Sequence, residues 1–225
     1  MNQAQRLFAS WVAQQTEQMR QIRNLTFTEH VKWKLEGAFD APLTEIEMQV
    51  TGRTTDDSHM WEREVNSGSV EGQPVSVLEA QRLLAQRQER LPSSLAARLS
   101  TLPLPALELA SMLAVTPLTA ADLDGEPCWK FDVVSPEEPG NDKTTHRVTL
   151  WLRQADNALL RSQAVILASS TSPASVITVY ERVEGLDLPQ TRQLESALQT
   201  QRRLRTFTSF LSLAATYSAY RLSGD

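Results

Sequence analysis

Few side chains in this chain have the types and spacing that chemistry requires. The histidines His30, His59 and His146 are far apart, and none has a second histidine or a cysteine at metal-ligand spacing, so no metal is expected. His30 falls on the polar side of an alternating stretch and is expected at the surface. There is no Gly-rich phosphate loop, no Gly-x-Ser-x-Gly elbow and no His-Glu-x-x-His. Cys128 is the single cysteine, which excludes an internal disulfide and a multi-cysteine metal site. It reads as a buried inert thiol, since a nucleophile needs a base beside it. Enzymatic activity is therefore not expected, nor a cofactor.

Two charges interrupt faces that otherwise read as apolar, Glu29 and Arg161. Either they end a strand in water, or they form part of a polar pair inside a cavity. Burying an unpaired ion costs several kcal/mol, so the second reading requires a partner. For Glu29 the strand end in water is the expectation; for Arg161 the residues leave both open. Arg202, Arg203 and Arg205 form a local basic run, read as solvated surface, with contact to a lipid head group or an acidic partner as the sharper alternative.

The totals limit the function classes. A chain of 225 residues can bury a sizeable core and fits one domain. Its net charge of −5 argues against nucleic acid as a partner. No run is apolar enough to span a bilayer. The start, Met1-Asn-Gln-Ala-Gln, lacks a signal-peptide pattern. This leaves two readings, a cytosolic chain or a mature chain behind an added methionine.

The elements that position these residues are mostly strands. The organising stretch runs over 125–189. Trp129, Phe131 and Val133 share one face there, as do Val148, Leu150 and Leu152, while Lys130 and Asp132 point the other way. Residues 159–167 return, and 176–183 add a further run rich in β-branched residues. Upstream, residues 3–23 have helical spacing through Phe8, Trp11, Val12, Met19 and Ile22. Residues 25–37 alternate cleanly, with Leu25, Phe27, Val31, Trp33 and Leu35 on one face; 45–52 and 60–65 return. Residues 66–74 read as a loop. Ser76-x-x-Glu79 is a capping-box signature for a helix reaching about Leu91. Leu95, Leu99 and Leu102 form a stripe beyond it, and 107–113 reads as a short apolar helix. Residues 118–123 lead through the Asp124-Gly125 hairpin signal back to the sheet. After Pro189 the pattern is ambiguous, since Leu194 and Leu198 have helical spacing, but 205–221 reads as a terminal strand.

Asp124-Gly-x-Pro, Leu150-Trp-Leu with Leu159-x-Arg161, Tyr180-x-x-Val-x-Gly-Leu-x-Leu-Pro189 and the closing Tyr217-Ser-x-Tyr220 resemble the bacterial lipoprotein-carrier superfamily (LolA/LolB-like). The order of elements is similar over most of the chain, and the residues over about 125–220. The resemblance implies an unclosed β-barrel, a helical lid over a hydrophobic cavity, acyl chains as ligands and the bacterial envelope as location. It also tips Arg161 towards the cavity. The chain departs from the family in a longer helical insertion and in having no N-terminal cysteine for a lipid anchor.

The expectation is thus an α+β fold: an open, curved antiparallel half-barrel with an N-terminal helix and a helical lid inserted mid-chain. It forms one LolA-like domain over 1–225, with the helix in 1–24, strands over 25–66, the lid over 76–115 and strands over 118–222. Trp33, Met48, Trp61, Trp129, Phe131, Leu150 and Leu152 from the sheet, Leu84, Leu99, Leu107 and Met112 from the lid, and Arg161 are the candidate cavity lining. Ordinary core is the competing reading for the apolar ones. The expected function is non-catalytic carriage of a lipid or lipoprotein acyl chain in the periplasm or envelope, with an envelope protein as a further partner. A cytoplasmic location stays open. The alternative is an interaction or structural protein on the same scaffold, with a filled core.

Overall fold

A computed structural model of the chain describes residues 2–37, 41–54, 59–90, 105, 109–135, 145–167, 174–202 and 205–224. Helix α1, Gln3–Arg20, begins at a capping box in which the Asn2 side chain accepts from the Gln5 backbone N–H and Gln5 returns the bond. Strands β1 (Asn24–Gly37), β2 (Ala41–Thr54), β3 (His59–Val70) and β4 (Gln73–Val75) follow. Helix α2 (Val77–Arg90) comes next, with the Ser76 hydroxyl accepting from the Glu79 N–H as the capping signature predicts. The chain then adds β5 (Leu113–Ala114), β6 (Thr119–Leu123), β7 (Glu126–Val134), β8 (Thr145–Arg153), β9 (Leu159–Leu167), β10 (Ala174–Val183), β11 (Leu186–Arg202) and β12 (Arg205–Ser223).

All twelve strands form one sheet, in the order β4-β3-β2-β1-β12-β11-β10-β9-β8-β7-β5, with β6 on the same edge of β7 as β5. Every pairing is antiparallel. The first and last long strands, β1 and β12, lie side by side near the middle, so the sheet's centre is made by the two ends of the chain. Its edges do not pair with each other, which makes it the open antiparallel half-barrel expected. Both helices lie on one face. The strict alternation of β1 puts Leu25, Phe27, Glu29, Val31, Trp33 and Leu35 on that inner face.

The core has two parts. One gathers residues of β1, β2, β3, β11 and β12 under α2 and the end of α1, with Phe27, Ile46, Met48, Val50, Leu188 and Leu194 among its most buried members. The other gathers Phe8 and Trp11 of α1 with Leu109, Met112, Phe131, Leu150, Leu152 and Leu159.

Three expectations need correction. Within the loop expected over 66–74, residues 66–70 and 73–74 are strand. A bulge between Glu47 and Met48 leaves Asn66 as the extra residue and lets β3 pair on as far as Val70. The glycine there serves the helix: a Cβ on Gly68 would lie 2.7 Å from the Ala80 Cβ, so α2 docks where the strand has no side chain. The apolar helix expected over 107–113 ends in strand, because Leu113 and Ala114 pair with Val134 and Val133 of β7. Finally, the ambiguous stretch after Pro189 is β11; Leu194 and Leu198 share a face at period two, not along a helix. The stripe of Leu95, Leu99 and Leu102 lies outside the described residues, as does Leu107.

Candidate functional site

The two helices occupy the inner face differently. Helix α1 is held at one end of the half-barrel by buried polar bonds. Trp11 Nε1 donates to Asp187 Oδ2 at 2.8 Å, the Asp187 N–H donates to Gln15 Oε1 at 2.8 Å, and Gln15 Nε2 donates to the Gly185 carbonyl at 3.1 Å. Asp187 also accepts from the Leu159 N–H at 3.0 Å and from Arg182 Nε at 2.8 Å. The hairpin turn that presents Asp187 places Glu184 and Gly185 at φ 49° and 87°. Gly185 suits this left-handed position, and a Cβ there would lie 2.6 Å from Gln18 Nε2 of α1. Phe8 fills the space beyond, edge-on to Phe131 at 6.2 Å between ring centres. Phe8, Trp11, Met112, Phe131 and Leu150 are all buried here.

Helix α2 covers the other end more loosely. Ala80 meets Gly68, and Leu83 and Leu84 lie half-buried against the core. Arg87, one turn on, reaches over the Trp33 ring at 5.0 Å from its centre. Between α2 and the sheet lies a cavity of about 160 Å³. Leu35, Leu83, Leu198 and Leu211 supply its apolar wall together with Trp33; Thr44, Gln86 and Arg87 supply its polar groups.

Deeper along the same face is a belt of buried polar residues. Glu29 is 5% exposed and accepts from Arg63 Nε at 3.4 Å. It lies opposite Tyr217 of β12, whose hydroxyl is made a weaker acid by burial. Arg192, equally buried, donates to Thr178 Oγ1 at 3.4 Å, and the Ser162 and Tyr180 hydroxyls bond each other at 2.9 Å. Glu29 therefore does not end a strand in water. It sits mid-strand, and Arg63 supplies the partner that its burial demands.

Arg87 stands apart from this pairing. It is 8% exposed, its Nε has no hydrogen-bond partner, and no ion pair to it is present among the described residues. Burial lowers its pKa to about 10, against an opposing pull from the Glu29 charge.

The structure brings few of the twelve sequence candidates to the cavity. Trp33 lines it. Leu84 lies on α2 against the neighbouring core. Met48 is fully packed opposite Glu29. Trp61 is half-buried, edge-on to Phe27 at 6.4 Å. Met112, Phe131, Leu150 and Leu152 belong to the core cluster that contains Phe8. Trp129 is half-buried in register with Leu152. Leu99 and Leu107 lie outside the described residues. Arg161 requires correction: it pairs in register with Trp151, on the face opposite Leu150 and Leu152, and lies over the Trp151 ring at 5.3 Å. Its charge is held by that ring, with Lys130 at a similar distance, and not by the interior.

The chain is similar to a lipoprotein-sorting domain. That solved structure, assigned as an outer membrane lipoprotein-sorting protein domain from Vibrio parahaemolyticus, is 9% identical, with 94% of this chain and 92% of that one covered and a TM-score of 0.49. A DUF1329 family protein from Desulfovibrio piger is 10% identical over 99% and 94%, with a TM-score of 0.48. A LolA superfamily protein from Nitrosomonas europaea is 14% identical over 95% and 92%, with a TM-score of 0.38. No family model and no curated protein matches the chain. These likenesses concern overall form.

Proposed function

We propose that this chain is a non-catalytic carrier of a lipid or lipoprotein acyl chain in the bacterial envelope, taking the chain between α2 and the inner face of the half-barrel. One observation carries the reading: an apolar-walled cavity of about 160 Å³ lies under α2. In this reading, loading a whole acyl chain shifts α2 outward. A ligand drives that shift only by binding the open state better than the closed one. Apolar burial supplies about 0.8 kcal/mol per CH₂, enough for a long chain to offset the lost contacts of α2.

The second reading, an envelope interaction protein with a filled core, is favoured by the packing around Phe8, Trp11 and Phe131. Displacement of a fluorescent acyl probe separates the two. A carrier binds the probe and releases it competitively to unlabelled fatty acid or phospholipid; a filled scaffold shows no competable binding.

A further inference from the structure

Arg87 is the one described cation on the inner face with a buried, unpartnered nitrogen and a position on the cavity wall. A desolvated guanidinium costs free energy unless a counter-charge meets it. Glu29, the carboxylate whose charge acts on it, is already engaged by Arg63. The Arg87 guanidinium lies over the Trp33 ring, 5.0 Å from its centre, and its donors suit a carboxylate. Leu35, Leu83, Leu198 and Leu211 then continue the wall as aliphatic surface.

We infer that this cavity recognises the carboxylate head of a single-chain amphiphile, a free fatty acid, with Arg87 as the head-group ligand and the leucines receiving the first methylenes. The inference rests on the carrier reading and specifies its ligand. A neutral lipid or an esterified acyl chain would leave Arg87 as it is now; a carboxylate would complete its hydrogen bonding.

The test compares decanoate with decanol by titration calorimetry on the full chain. A charge-assisted pair predicts that decanoate binds about tenfold or more tightly than decanol. Arg87→Met, which keeps the apolar volume, should bring the two within about threefold by weakening decanoate alone. Arg87→Lys keeps the charge but loses the fork, and should fall between them. Leu198→Trp, which fills the cavity from the sheet side, should weaken both ligands together, and Arg87→Lys keeps the test decisive if Arg87→Met fails to fold. Equal binding of decanoate and decanol by the native protein, or unchanged decanoate affinity in Arg87→Met or Arg87→Lys, overturns the inference while leaving the carrier reading intact. Binding of neither ligand also overturns it, and the carrier reading is then decided by the acyl-probe displacement alone.

Discussion

Trp11 of the N-terminal helix donates its indole N–H to the carboxylate of Asp187, 176 positions along the chain, at 2.8 Å and out of contact with water. The same carboxylate holds Arg182 and the Leu159 N–H. One side chain thus joins α1, β9, β10 and β11. Asp187→Ala removes the acceptor from three buried or half-buried donors, and the loss should be about 3–5 kcal/mol of unfolding free energy in urea. Trp11→Phe keeps most of the ring packing and removes one bond, so a smaller loss of about 1–2 kcal/mol is expected.

The contact between Gly68 and Ala80 determines how closely α2 sits. Gly68→Val places side-chain atoms where the Ala80 methyl now lies, and should cost about 1–3 kcal/mol by overpacking. Ala80→Gly in the same chain should recover part of it. Hydrogen exchange should show faster opening of α2 in the single variant than in the double one.

Arg87→Met should raise the stability of the ligand-free protein by about 1 kcal/mol, since exchanging a poorly compensated buried cation for an apolar side chain is commonly neutral or stabilising. The pH dependence has a defined sign. Burial lowers the Arg87 pKa to about 10, below the ordinary guanidinium value, so the unfolded chain binds this proton more tightly than the folded one. The penalty is therefore full below about 10 and is relieved as pH rises from there towards the ordinary value. The difference in unfolding free energy between native protein and Arg87→Met should shrink over that interval. A variant that is less stable at neutral pH would show that the Trp33 contact outweighs the desolvation.

On the outer face, Glu45 lies 2.9 Å from Lys32 and 3.5 Å from His30. The bond from Lys32 holds its carboxyl below the ordinary value of 4.5 despite some opposing desolvation. A lowered carboxylate stabilises the fold above its unfolded pKa and loses that contribution as pH falls through the folded one. The contribution should therefore be present above about 4.5 and fade below it. Because the pair is partly exposed, a double-mutant cycle with Glu45→Gln and Lys32→Met should return only about 0.3–0.5 kcal/mol at neutral pH.

Cys128 is fully buried, and its thiol donates to the Ala121 carbonyl at 3.4 Å. Burial raises its pKa, which lowers the thiolate fraction. It should resist a thiol reagent in the native protein and react at once in denaturant.

Strands such as β1 were legible because one face meets water, and each alternate residue from Leu25 to Leu35 reports its side. Glu29 obeys that alternation too; its polarity disguised a position whose partner, Arg63, comes from a strand 34 residues away. Asp187 was hidden as the variable residue of Gly-Leu-x-Leu-Pro189, although an acid held between two leucines just after a tight turn is a signal for a buried polar anchor. Arg87 occupies the next turn of the face marked by Ala80, Leu83 and Leu84, so helical spacing could have found it. The Gly-Ser content of 66–70 suggested a loop because the need for bare backbone beneath α2 is a property of packing, not of local propensity. Arg161 was misplaced because the residues left its direction open; the register with Trp151 determines it.

The central claim is that the interior under α2 carries an acyl chain. Native mass spectrometry of the full chain purified from a bacterial host, followed by solvent extraction and lipid analysis, tests it most directly. The account predicts a bound species of fatty-acid or lipid mass, near one per protein molecule, lost on extraction. A mass equal to the polypeptide alone, unchanged after incubation with decanoate or phospholipid, would contradict it.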